Sequence, residues 1–244
     1  MSDSSAIVIP SYKETEALPS FLNELLPLLN VNDVIVVADD SPEEERETIV
    51  SLCNQMGEKY SIEIYYSFAE KKMGRGSAVR RGMELIQKNH PSIKRVIECD
   101  ADGSHRAIDV IKVKNSLLSS DLIIGSRYLP SSAIEGWPIS RRIFSRILNY
   151  VIPRVLGIKV NDVTNGLRSY SLRAIEKLTA TKQINTGFIY LSEQAKILAK
   201  SDYTIEEIPI KFVNRIAGSS TVGRKEILDS LQGILGLILN RRNF

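Results

Sequence analysis

Residues 96–105 read VIECDADGSH. The apolar residues Val96, Ile97 and Cys99 run straight into two aspartates separated by one alanine. In an extended segment the side chains at i and i+2 point to the same face. Asp100 and Asp102 are therefore expected to face one way at the end of a strand. Two like charges that close repel each other unless a cation or a set of donors lies between them. The bland reading of the pair is a turn or a helix cap, which aspartate favours after a strand. The other reading is a metal site, and the motif is too short to choose between them alone.

Working outward, short apolar runs alternate with longer amphipathic stretches. AIVIP (6–10), DVIVVADD (33–40), IEIYYS (62–67) and KRVIECD (94–100) read as strands. TEALPSFLNELLPLLN (15–30), PEEERETIVSLCNQM (42–56) and GRGSAVRRGMELIQKN (74–89) read as helices. The first places Leu18, Phe21, Leu22 and Leu25 on one face, and the second carries acidic residues in its first turn, where the helix dipole favours them. Strands separated by helices indicate βαβ units and an α/β fold, mainly a parallel central sheet with helices on both faces. In such sheets ligands bind beyond the carboxyl ends of the strands. Three of those ends, IPSYKE, VVADDSP and ECDADGS, carry acids that the fold would gather into one crevice. No repeat, low-complexity tract or linker divides the 244 residues, so 1–244 is expected to be one domain.

Composition excludes several classes. The charge of +3 is too mild to indicate nucleic-acid binding, and 43% hydrophobic with 25% charged residues is ordinary for a globular chain. Cys53 and Cys99, the two cysteines, lie in apolar contexts and read as reduced core residues. The first ten residues do not resemble a signal peptide, and no apolar run reaches the ~18 residues a bilayer span requires. A cytoplasmic protein, free or surface-bound, is the expectation. Zinc does not fit, because the two histidines, His90 and His105, belong to no His/Cys cluster. Mg²⁺ or Mn²⁺ does fit, since magnesium commonly takes one or two carboxylates and draws further ligands from substrate phosphates.

These stretches, with GSRY (125–128), EGWPISRR (135–142), DVTNGLRSY (162–170) and EEIPIKFVNRIAGSS (206–220), follow one another in an order and spacing that resembles glycosyltransferase family 2. The similarity is greatest to its dolichol-phosphate mannose synthase branch, and it covers about 220 residues. The resemblance implies the GT-A fold and a nucleotide-sugar donor. It would place Pro10, Tyr12 and Glu14 along the base, with Val37 and Asp39 closing on base and ribose. Asp100, Ala101 and Asp102 would hold the metal and diphosphate, with Ser104 as a further metal-side ligand. Arg127 and Arg215 would grip phosphates at the reacting centre, which makes Asp102 and Arg127 the expected catalytic pair. The chain departs from the family pattern at Lys13, Ala38, Arg106-Ala107, Ser131-Ser132 and Thr221.

The segment 138–156 can be read from its residues. Pro138 suits a helix start. Arg141, Ser145 and Asn149 lie four apart and share a face, offering a guanidinium, a hydroxyl and an amide to a phosphate. Much of the remainder is apolar, with Arg142, Arg146 and Arg154 interspersed, a pattern that suits either a packed helix with solvated arginines or a helix lying on an anionic membrane. The resemblance favours the second, with Arg127, Arg141 and Ser145 on the acceptor phosphate. A C-terminal stretch of about 224–240 carries a similar apolar stripe, Ile227, Leu231, Ile234, Leu235 and Ile238.

Transfer to a sugar hydroxyl needs a general base. TGFIYLSEQAK (186–196) offers a single acid, Glu193. A phosphate monoester is already anionic near neutral pH, with a second pKa of about 6, and needs no base. A phosphate nucleophile fits, and the resemblance supplies the rest of the expected activity: metal-dependent, inverting transfer of mannose from GDP-mannose to a polyprenyl (dolichyl) phosphate at the cytoplasmic face of a membrane. The alternatives are a UDP-sugar donor of the glucose type, a carbohydrate hydroxyl acceptor with Glu193 as base, and an inactive sugar-nucleotide-binding subunit. A membrane-embedded helper subunit is an expected possible partner.

Overall fold

A computed structural model of the chain describes residues 4–117, 119–182, 184–187, 189–214 and Gly236. The expected C-terminal helix at about 224–240 and residue Thr221 lie outside the described residues, Gly236 excepted. The chain opens with β1 (Ser5–Ser11), α1 (Ala17–Leu25), β2 (Val34–Asp39), α2 (Glu43–Tyr60), β3 (Glu63–Phe68), α3 (Arg75–Asn89) and β4 (Arg95–Glu98). It continues through α4 (Ala107–Lys114), β5 (Leu122–Ser126), β6 (Ala133–Ile134), α5 (Ile139–Leu156), β7 (Arg168–Ser171), α6 (Leu172–Ala180), α7 (Tyr190–Lys200), β8 (Ile205–Pro209) and β9 (Lys211–Phe212). The first helix is shorter than its apolar pattern: it gives way to a 3₁₀ turn at Leu26–Leu28, where Pro27 cannot donate to a continuing α-helix.

Seven strands form one sheet in the order β3-β2-β1-β4-β7-β5-β8, with β7 alone running antiparallel to its neighbours, and β6 pairs with β9 separately. Alternation along the strands divides the core. Ala6, Val8, Val34 and Val36 face α3, α5, α6 and α7, whereas Ile7, Ile9, Ile35 and Val37 face α1, α2 and α4. Side chains of β1 and β2 are buried on both faces, as their continuous apolar runs require of central parallel strands. The chain leaves β1 toward β2 and β3 and returns to β4 on the other side, which makes the β1–β4 boundary the switch point at which such sheets open a crevice. The ends of β1, β2 and β4 thus meet as expected.

Close approach of α3 to the sheet depends on Gly82, where a Cβ would come within 2.5 Å of a Val8 methyl. Gly82→Ala gains about 1 kcal/mol of helix propensity but overfills a packed contact, which costs about 1–3 kcal/mol. A net loss of stability in urea unfolding is the expected result; an unchanged or raised midpoint would show that the contact has room.

Candidate active site

The strand β4 stops at Glu98, so Asp100 and Asp102 sit in the turn beyond it and not on the strand itself. Gly103, at φ +76°, carries the chain through that turn in a conformation that L side chains rarely adopt. The same-face argument therefore does not place the pair; the turn does. Its shape is fixed from beneath by His105, which is fully buried. The Asp100 backbone N–H donates to His105 Nδ1 at 3.0 Å, so the ring proton belongs on Nε2, 2.9 Å from Asn165 Oδ1. With Nδ1 accepting, the 3.7 Å approach of that nitrogen to Asp100 Oδ2 is not an ion pair. Asp102 is nearly buried and accepts the Ser104 N–H through Oδ1 at 3.0 Å, and Ser104 is itself buried against the Val213 N–H.

One cation dominates this corner. Arg75, at the start of α3, donates through Nε and Nη2 to Asp100 Oδ1 at 2.8 and 2.6 Å. Its Nη1 contacts the wholly buried Glu98 and the Tyr190 hydroxyl. Tyr190 and Tyr170 both donate to Glu98, the latter at 2.9 Å. Burial raises both phenols well above their ordinary value and Glu98 adds to this, so they remain donors. Burial works against the Arg75 charge, but Asp100, Tyr190 and Glu98 outweigh it and hold the guanidinium firmly protonated. Gly166 makes the room, because a Cβ there would overlap that guanidinium. Neither Arg75 nor Glu98 was among the expected site residues. The signal was present: Glu98 is a carboxylate in the middle of an apolar strand run.

The residues expected along the base lie at the ends of β1 and β2. Tyr12 is half-buried and its ring lies under the Lys72 ammonium at 4.1 Å; Pro10 and Glu14 are also half-buried beside it. The Val37 side chain, however, lies wholly in the core against α1 and α2, since β2 is buried on both faces, and so presents no side chain to a ligand. Asp39 is fully buried and its carboxylate accepts the Ser41 N–H at 2.7 Å and the Ser41 hydroxyl at 3.1 Å. Its neighbour Asp40 holds the entrance of α3, accepting from Met73 N–H, Gly74 N–H and Arg81.

Beyond β5 lies the second group. Arg127 forms a fork with Asp162, Nε–Oδ2 2.7 Å and Nη2–Oδ1 2.8 Å, and donates to Thr164 at 2.7 Å. A phosphate held by Arg127 would therefore share the guanidinium with Asp162. The indole of Trp137 has two guanidinium groups near its ring centre, Arg127 at 5.5 Å and Arg141 at 3.9 Å. Ser145 accepts the Tyr128 hydroxyl at 2.6 Å. Arg127, Arg141 and Ser145 are thus brought to one neighbourhood, with Trp137 and Tyr128 as residues that sequence reasoning missed. Asn149 is corrected: it is buried, its carbonyl accepts the Val163 N–H at 2.9 Å, and its amide donates to Ser145 O and Thr164, so it serves packing. Arg215 lies outside the described residues.

Burial pushes the Asp162 carboxyl up, but Arg127 and backbone N–H groups outweigh this and hold it below its ordinary 3.8. A carboxyl depressed on folding adds stability in full above its unfolded pKa, and that contribution is lost as pH falls through the folded value. Asp162→Asn should cost about 3 kcal/mol at neutral pH by leaving Arg127 buried without a counter-charge. Its deficit against the parent should shrink as urea melts are taken below about pH 4. A deficit independent of pH would show that the pair is not ionised.

Among the described residues no three acidic, histidine or cysteine side chains form a closed metal cage. Two carboxylates at the rim, Asp100 and Asp102, are what a magnesium-like ion needs when a diphosphate supplies the remaining oxygens. Among known proteins, polyprenol monophosphomannose synthase of Mycolicibacterium smegmatis is 25% identical over 226 residues, 92% of this chain and 83% of that one. Undecaprenyl-phosphate mannosyltransferase of Micrococcus luteus is 29% identical over 215 residues, 87% of this chain and 85% of that one. Among solved structures, glucosyl-3-phosphoglycerate synthase from Mycobacterium tuberculosis, in complex with Mn²⁺, UDP and glucosyl-3-phosphoglycerate, shares the fold with a TM-score of 0.61 at 15% identity, over 97% of this chain and 80% of that one. The sequence model of the family described as Glycosyl transferase family 2 matches residues 6–179, well over half of the chain, and the protein belongs to that family.

Proposed function

We propose that this chain transfers mannose, with inversion, from GDP-mannose to a polyprenyl phosphate in the presence of Mg²⁺ or Mn²⁺. The names of the two curated relatives support the sugar and the acceptor. The observation that carries the reaction type is the position of Glu193. This carboxylate is wholly buried and accepts from Ile184 N–H at 2.8 Å, Asn185 N–H at 2.9 Å and the Asn185 amide at 2.9 Å. It braces a loop, which argues against the carbohydrate-hydroxyl reading that needed it as base. A phosphate nucleophile requires orientation and charge instead.

In this reading Asp100 and Asp102 hold the metal, with Ser104 shaping the turn behind them. The bound metal supplies charge stabilisation for the departing diphosphate. Tyr12, with Pro10 and Glu14, flanks the base. Arg141 and Ser145 orient the acceptor phosphate, and Arg127, locked by Asp162, presents a guanidinium in a fixed direction. Trp137 offers its ring to both arginines and helps to hold them.

The acceptor's lipid tail calls for a surface, and α5 offers one. Ile139, Ile143, Phe144, Ile147, Val151 and Val155 are all exposed on the side turned away from the core residues Ile152 and Leu156. Exposed Arg142 and Arg146 flank that apolar face and Arg154 sits within it, a composition suited to an anionic bilayer surface. No helix of the described residues is long and apolar enough to cross a membrane. Peripheral association at a cytoplasmic membrane face, with or without a membrane-embedded helper subunit, follows from this reading.

The test is transfer of radiolabelled sugar to a short polyprenyl phosphate with Mn²⁺, supplying GDP-mannose and UDP-glucose separately. Transfer from GDP-mannose, abolished by EDTA and by Asp102→Ala, is the expected result. Transfer from UDP-glucose alone would replace the donor, and undiminished turnover in EDTA would sink the metal role. Arg141→Ala should raise the KM for polyprenyl phosphate about tenfold, a loss of ~1.4 kcal/mol, while nucleotide-sugar binding holds. Equal loss of both would remove Arg141 from the acceptor.

A further inference from the structure

Arg75 stands where a metal's charge would be felt, on the carboxylate expected to bind it. Both Nε and Nη2 of this guanidinium converge on a single oxygen, Asp100 Oδ1, at 2.8 and 2.6 Å. The contact is built into the fold. Glu98 and Tyr190 hold the far side of the guanidinium, Tyr170 holds Glu98, and Gly166 clears the space. The Arg75 side chain is 12% exposed and that of Glu98 is not exposed at all. A guanidinium so enclosed cannot swing into water when a dication arrives; it must share Asp100 with it.

Resting on the metal–diphosphate reading above, we propose that Arg75 is a resident cation that suppresses metal binding until the nucleotide diphosphate is present. Asp100, Asp102 and Glu98 behind them contribute three negative charges to this corner, and Arg75, shared between Glu98 and Asp100, cancels one. A dication entering alone meets a weakened field and a like charge beside it. A nucleoside diphosphate brings negative oxygens that attract both the dication and the guanidinium, so the ligands bind together far better than either alone. The diphosphate's own metal-binding oxygens create a coupling free energy between the two ligands, Arg75 enlarges it by opposing the metal that arrives alone, and the coupling is reciprocal. Arg75 acts on the metal through Asp100 and is a positioning residue in this role. The chain thereby avoids holding a bare metal over an open site.

Binding of Mn²⁺ to the full chain, followed by the EPR signal of free Mn²⁺ with and without GDP, tests this without recourse to turnover. Two variants are needed, because Arg75→Met leaves Glu98 buried without its counter-charge. The double variant Arg75→Met/Glu98→Gln removes both charges and keeps a hydrogen-bonding group beside the tyrosines. Arg75→Met should bind Mn²⁺ alone at least tenfold more tightly than the parent; the double variant keeps the parent's net charge and should gain less, about threefold, through release of Asp100 from its direct cation, and in both the strengthening of Mn²⁺ binding by GDP should fall by a similar factor. Unchanged or weaker Mn²⁺ binding in the folded double variant, verified by circular dichroism, overturns the proposal while leaving the metal site intact. A parent chain that fails to bind Mn²⁺ with either GDP or UDP present overturns the metal reading and this proposal with it.

Discussion

A carboxylate buried in the middle of a mixed sheet is the constraint on which this site depends. Glu98 has no access to water, and an ionised group in that position is tolerated only with a counter-charge and hydrogen bonds around it. The fold supplies them from three separate elements: Arg75 from α3, Tyr170 from β7 and Tyr190 from α7. Arg75 and Tyr190 cross from the helix layer and Tyr170 reaches over from the neighbouring strand, all to the same two oxygens. Meeting that requirement fixes how α3 and α7 sit over β4. The same arrangement delivers a guanidinium to Asp100. Electrostatic necessity inside the core thus becomes an electrostatic setting at the rim.

The strand and helix alternation was legible because it rests on periodicity, which a sequence displays directly. The gathering of β1, β2 and β4 ends followed from the topology rules for parallel sheets. Asp100 and Asp102 were found for a reason that needed revising, since the strand stops at Glu98 and the pair belongs to a turn. Partnerships across long sequence distances were not legible. Nothing near Arg127 announces Asp162, 35 residues later, and nothing near Glu98 announces Tyr190, 92 residues on. Asn149 shared a helical face with Arg141 and Ser145 in the sequence, but that face runs from the site into the core, and Asn149 lies at the buried end. Spacing gives a direction around a helix, not the depth at which each residue ends.

Trp137 illustrates a residue whose role is visible only in three dimensions. As the chain's one tryptophan it could be read as core. It is buried, yet its neighbours are two guanidinium groups and the ring of Phe212 at 5.3 Å. An aromatic ring near two cations is attractive to both.

The bonds that withdraw Asn149 from ligand binding have an effect of their own. They tie α5 to residues 163 and 164, and Thr164 in turn is bonded to Arg127, so the helix and the guanidinium move as one body. Whatever plane the exposed side of α5 rests on is therefore held at a constant height from Arg127 and Arg141. Under the function proposed above, such a framework would work as a depth gauge: it would register the headgroup end of an acceptor against the plane and be indifferent to the length of tail beneath it.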